Sequence, residues 1–288
     1  MTFVNRTFVD QALARRLESA EEMPQVHYAK LYEALHPEIG AAAEPICGGH
    51  MIFAGLNSPI GRTVGVGFDG SCSAADLDRM EDFYRAHGAP SQIDVCPLTD
   101  APLLEMLKQR GYTFGELNNV LFRPLEHDTA PHAAPEGATI RPAEPDEAED
   151  LGGILMRGFF PDGDAPPDFG QLISPLYKFE KALSFVAEVD NLKVACGVGL
   201  LIPERGIAAL FGAATLPDFR RRGLQTALLK VRMAAAAQAG CEFAVIVTNG
   251  GSGSQRNVER LGFRVAYSKL TLVKPFEALN QNVGAVSS

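Results

Sequence analysis

Two stretches of this chain repeat one order of elements at a spacing of about 150 residues, the mark of a tandem duplication. In each, a helix ends in glycine (Gly88, Gly240) and a buried strand follows (Gln92 to Cys96, Phe243 to Thr248). A short helix then runs into glycine and an aromatic ring (Arg110-Gly111-Tyr112, Leu261-Gly262-Phe263), and a final strand closes the unit. The pattern predicts an α/β (α+β) fold of two tandem domains, each a mixed, mostly antiparallel sheet flanked by helices. Residues 126–138, with two prolines near their centre and almost no large apolar side chain, read as a linker. They separate a domain at 1–125 from one at 139–276, and 277–288 form a polar tail.

Within this frame, helices are expected over residues 7–19 and Gln25 to Leu35, and strands over Met51 to Ala54 and Thr63 to Phe68. Ala74 to His87 should be a helix capped by Ser73. In the second half Phe185 to Val189, Val194 to Ile202 and Ile207 to Leu216 read as an antiparallel meander. A long alanine-rich helix from Arg222 to Ala239 follows it, and Gly240 ends that helix.

The formal charge of −9 argues against general binding to nucleic acid or a membrane surface, because phosphate-binding surfaces carry a basic excess. No apolar run is long enough to span a bilayer, and the five scattered cysteines form no metal or redox pair, so a cytoplasmic protein without a metal is expected.

Against that acidic background one basic turn stands out: Thr215-Leu-Pro-Asp-Phe-Arg220-Arg221-Arg222-Gly223-Leu224-Gln225-Thr226-Ala227. A strand exit, a glycine and a helix start make a pocket for a pyrophosphate. The free N–H groups of the first helical turn supply donors and the helix dipole adds positive potential. Glycine lets the backbone come close, and the arginines add charge.

The run Arg220-x-x-Gly223-x-Gln225 resembles the acyl-CoA signature of the GNAT N-acetyltransferase superfamily, Gln/Arg-x-x-Gly-x-Gly/Ala. The segment Ser254-Gln-Arg-Asn257-Val-Glu-Arg-Leu-Gly262-Phe263 is similar to the family's next motif, and the likeness spans about residues 139–275. The resemblance implies acetyl-CoA as acyl donor. Ala214, Thr215 and Leu216 would be the strand beside its pantetheine arm, and the amides near Leu216 would polarise the thioester carbonyl. Arg221, Arg222, Gly223, Leu224, Gln225, Thr226 and Ala227 would hold the pyrophosphate, and Ser254 and Asn257 would lie along the arm. Two positions depart from the pattern: Gln225 replaces a small residue, and Val258 stands where many members have a tyrosine acid.

The first half looks like the same superfamily without its signature, since Asp69-Gly-Ser-Cys-Ser73 occupies the corresponding turn. Gly65-x-Gly67-x-x-Gly70 matches a dinucleotide fingerprint, but its strand order is a meander rather than βαβ. Acid and base candidates are few. All six histidines fall at or before His132, which leaves Glu188 as a candidate base and Tyr267 as a candidate acid. Asp162 and Asp164 could attract a cationic amine. The expected activity is acetyl transfer to a primary amine of a small-molecule acceptor. The alternative is a non-catalytic acyl-CoA-binding or regulatory protein.

Overall fold

The computed structural model describes residues 8–56, 58, 60–125, 133–166 and 169–276. The first part of the expected linker, residues 126–132, and the tail 277–288 lie outside the described residues.

The chain opens with helix α1 (Gln11–Leu35), capped by Asp10, whose carboxylate accepts from the Leu13 N–H. One helix of 25 residues replaces the two expected around Pro24. Pro24 forfeits one intrahelical hydrogen bond. Apolar residues on both sides of it, from Leu13 and Leu17 to Tyr28 and Tyr32, are buried in a single core, and that packing carries the helix through. A two-stranded ribbon follows, β1 (Ala42–Ile46) and β2 (Gly49–Phe53). Thr63 to Phe68 is not a ladder strand. It is an extended segment with single bridges, His50 to Val64 and Thr63 to Ile93. Its glycines Gly65 and Gly67 have φ of 73° and 81°, which breaks the run of β conformation. Then come α2 (Ala74–Ala86), β3 (Ser91–Val95), α3 (Ala101–Gln109) and β4 (Thr113–Pro124).

The second half supplies β5 (Ala138–Pro142), α4 (Ala148–Phe159), α5 (Phe169–Ile173), β6 (Phe185–Val189), β7 (Leu192–Ile202) and β8 (Ile207–Thr215). It ends with α6 (Leu224–Gln238), β9 (Phe243–Asn249), α7 (Gly253–Arg260) and β10 (Arg264–Lys274). Side chains of β8 alternate: Ile207 and Ala209 pack with α1 and α4, while Ala208 and Leu210 pack with α6.

The large sheet has eight strands in the order β3-β10-β4-β9-β8-β7-β6-β5. The two halves exchange their last strands. β4 of the first half lies beside β9, and β10 of the second half lies between β3 and β4. The covalent boundary near residue 130 therefore does not cut the sheet.

Alternate residues of β10 seat it under α1. The Tyr267 hydroxyl donates to Glu18 Oε1 (2.8 Å). Lys269 Nζ stands 3.4 Å from both Glu18 and Asp94 and also pairs with Glu21. The Thr271 hydroxyl donates to Asp94 Oδ1 (2.6 Å). Burial pushes the Glu18 carboxyl up, against the pull of Lys269.

Candidate functional site

Strands β8 and β9 run parallel, but only Ile207 to Ala209 pair with Phe243 to Val245. Beyond Ala209 they part, and a cleft of ≈ 1050 Å³ opens between them. Helix α6 starts at the floor of that cleft. Its N-cap is Gly223, with φ 80° and no side chain to satisfy the first-turn donors. The first intrahelical bond runs from the Ala227 N–H to the Gly223 carbonyl, so the amides of Leu224, Gln225 and Thr226 have no partner inside the helix. By contrast, side chains of Asp10, Ser73 and Ser252 cap α1, α2 and α7.

Gly223 is required here by conformation rather than by crowding. Its φ lies in the left-handed region, whereas an added Cβ would meet only Pro135, at 3.6 Å. Arg221 also has a positive φ, 63°, lines the cleft, and makes no hydrogen bond or ion pair among the described residues. The other two arginines have internal tasks. Arg220 donates to the carbonyls of Thr215 (3.3 Å) and Gly158 (2.7 Å), tying β8 to the end of α4. Arg222 lies over the Phe219 ring and is absent from the lining. An anion is therefore not needed to account for all three charges.

Of the positions expected to hold the donor, Ala214, Thr215, Arg221 and Gly223 line the cleft. So do Leu224, Gln225 and Thr226 at the helix start, with Ser254 and Asn257 on α7. Gln225 folds back, its amide donating to the Thr215 hydroxyl (2.9 Å), which clears the helix start despite its length. Leu216 and Ala227 do not reach the cleft. The Leu216 amide donates to Val194 (2.9 Å), so the expected free amide is not there.

A different part of β8 departs from the regular ladder. Cys196 pairs with Ala214 and Val198 with Phe211, so Gly197 alone faces Gly212 and Ala213. This bulge interrupts the ladder on the cleft wall.

Neither candidate for proton transfer lies in the cleft. Tyr267 is 7% exposed and bonded to Glu18 beneath α1. Burial raises its hydroxyl well above the usual range, with Glu18 and Cys96 adding to the effect. On β10, between β3 and β4, Tyr267 faces α1 rather than the cleft. Glu188 accepts from Arg141 (2.6 Å) on β5, in a cluster with Glu147 and Lys193. Asp162 and Asp164 are exposed around the Gly163 turn and also miss the cleft. Val258, 2% exposed, completes an apolar wall. No Asp, Glu, His or Tyr occurs among the described residues that line the cleft.

In the first half, two of the three fingerprint glycines, Gly65 and Gly67, are closed over by side chains of the protein itself. A Cβ on Gly65 would stand 2.8 Å from the Glu22 carboxylate, and one on Gly67 would stand 3.2 Å from Thr99.

One lining residue has no precedent in the expectations. Arg232, on α6, is 1% exposed and meets only carbonyl oxygens. Burial lowers its guanidinium to about 10, which still leaves it charged at neutral pH. The sequence signal was available: Arg232 follows Leu224 and Leu228 at steps of four, on the buried stripe of the helix.

Residues 153–263 match the acetyltransferase (GNAT) family. Solved structures share the fold at low identity. A GCN5-related N-acetyltransferase from Kribbella flavida is 17% identical, with 87% of this chain and 96% of that one covered at a TM-score of 0.62. A tandem GNAT protein from the clavulanic acid biosynthesis pathway is 11% identical, covering 81% and 78% at 0.56. A GCN5-related N-acetyltransferase from Sphaerobacter thermophilus is 18% identical, covering 69% and 65% at 0.53. No curated protein matches the chain. No helix among the described residues is long and apolar enough to cross a membrane, and none of their His, Cys, Asp and Glu side chains cluster as a metal site. The matched residues run from α4 through α7, so the part of the chain that builds the cleft is the part similar to the GNAT acetyltransferase family.

Proposed function

We propose that the second half binds acetyl-CoA between β8 and β9 and transfers the acetyl group directly to a primary amine of a small-molecule acceptor. The observation that carries this reading is the uncapped start of α6 at the floor of the cleft, beside Gly223 and an unpaired Arg221. Three free amides, a helix dipole and one cation suit a pyrophosphate. The edge of β8 that β9 leaves unpaired, including Ala214 and Thr215, suits an amide-bearing arm, and Ser254 and Asn257 flank its path. Acetyl-CoA would supply a thioester, an acyl group already activated for attack by an amine.

The protein's own contribution is placement and polarisation. Holding donor and acceptor together removes much of the entropic barrier. The bulge at Gly212 and Ala213 offers backbone amides to the acyl oxygen. Since no Asp, Glu, His or Tyr among the described residues lines the cleft, the amine arrives unprotonated or loses its proton to water. That same absence favours a second reading, an acyl-CoA-binding module without turnover.

Incubation with acetyl-CoA and a panel of primary amines, read as free thiol, separates the two. Transfer gives thiol release that depends on the amine. Calorimetric binding with no release for any amine supports the binding module, and no binding at all removes both readings.

A further inference from the structure

The β8 bulge is gripped from both faces of the sheet. On the α4 face the Tyr177 hydroxyl donates to the Gly212 carbonyl (3.0 Å) and lies 3.2 Å from the Cys196 sulfur. On the α6 face Arg232 Nη1 donates to Val198 (2.7 Å) and Phe211 (3.3 Å), and Nε donates to Leu228 (3.1 Å) in its own helix. Gly197 makes room for this, since a Cβ there would stand 2.7 Å from Arg232 Cζ. Consecutive carbonyls of one bulge are thus held by a phenol above and a guanidinium below.

A neutral donor would satisfy those carbonyls at lower cost. Burying a guanidinium without a carboxylate is unfavourable, and none stands within ion-pair distance of Arg232 among the described residues. Its Nη2 is buried with no hydrogen-bond partner. Arg232 nevertheless lines the cleft at the level of Gly212 and Ala213. A permanent charge in a desolvated position acts strongly on a nearby developing charge.

We propose that Arg232 and Tyr177 are positioning residues of the acyl-transfer centre. They fix the bulge by the Phe211 and Gly212 carbonyls, and Arg232 keeps a positive charge behind the amides that receive the acyl oxygen. The inference rests on the acyl-transfer reading above.

The test is the carbonyl stretch of carbonyl-13C-labelled acetyl-CoA bound to the full chain, with affinity measured by calorimetry alongside. In the wild-type protein the stretch moves to lower wavenumber than in solution. Arg232→Met loses most of that displacement, Arg232→Lys keeps most of it, and Tyr177→Phe loses a smaller part. Affinity changes by less than about threefold, because the grip acts on the acyl carbonyl rather than on the pyrophosphate. Arg232→Gln, which keeps a donor but not the charge, substitutes for Arg232→Met if the latter does not fold, and it too should lose the displacement. An unchanged stretch in the uncharged variant overturns the inference while leaving acyl-CoA binding intact. No binding by the wild-type protein overturns the underlying reading, and the inference with it.

Discussion

Helices α2 and α6 occupy the same place in the two halves, each between a glycine-bearing extended segment and a buried strand, yet their starts are finished differently. At α2, Ser73 and Asp76 form a reciprocal capping box that satisfies two backbone donors and puts a carboxylate at the helix start. At α6 no side chain caps the helix, and the neighbouring residues are arginines. The surroundings differ in the same way. Around the first segment, Arg15 bonds Asp69, Glu22 and the Gly48 carbonyl, and Gly67 exchanges backbone bonds with Cys47 and Asp100. Around the second, β8 and β9 part, leaving amides and Arg221 without partners. Buried polar groups are normally paired, and around the first segment the protein pairs them internally. Where it leaves them open, at the start of α6, the proposed acetyl-CoA would be the missing partner.

The comparison predicts that substitutions in the second cleft move affinity, and those in the first half and along the seam move stability. The largest affinity effect should be Gly223→Asp. It forces a left-handed backbone on a residue with a Cβ and puts a carboxylate where phosphate belongs, so acetyl-CoA affinity should fall about 100-fold or more by calorimetry. Gly223→Ala brings the strain without the charge and should lose less.

The largest stability effect should be Lys269→Met, which leaves Glu18 buried without its cation and Asp94 with Arg62 alone, 3.5 Å away. Denaturant unfolding should show a loss of about 3–5 kcal/mol, with acetyl-CoA affinity unaffected. Ser73→Ala should cost about 1 kcal/mol of stability through the lost cap of α2, again without changing affinity. A fall in affinity in either variant would break the division between the halves. Ser73 is a cleaner probe of the first half than Gly67, whose φ of 81° and contact with Thr99 make any substitution a test of strain.

The smallest effect concerns pH. Hydrogen bonds from Arg141 hold the Glu147 carboxyl well below its usual range. Such a depressed group contributes stability above the ordinary carboxylate pKa and loses it as pH falls below that value. Glu147→Gln should therefore flatten the acid limb of the stability curve below about pH 4 and leave neutral-pH binding alone.

Much of this was legible in local sequence. The helix from Arg222 to Ala239 and the meander before it stand within about two residues of their expected ends, because glycine and proline punctuate them. The Arg-Gly turn was legible because a positive-φ glycine beside a helix start has few purposes. What local sequence hides is pairing at a distance. The strand exchange depends on β10 choosing β3 and β4 rather than β9, and that choice rests on the inward-facing Tyr267, Lys269 and Thr271 meeting Glu18 and Asp94. Tyr267 reads as an acid candidate only while β10 is placed in its own half. The bulge at Gly212 and the grip of Arg232 were hidden for the same reason, since their partners lie on β7 and in the segment around Tyr177.

The claim that one cleft was kept open and the other filled is tested most directly by counting acetyl-CoA molecules per chain in a calorimetric titration of the wild-type protein. The account predicts one site per chain, lost in Gly223→Asp. Two sites per chain, or one site that survives Gly223→Asp, would contradict it.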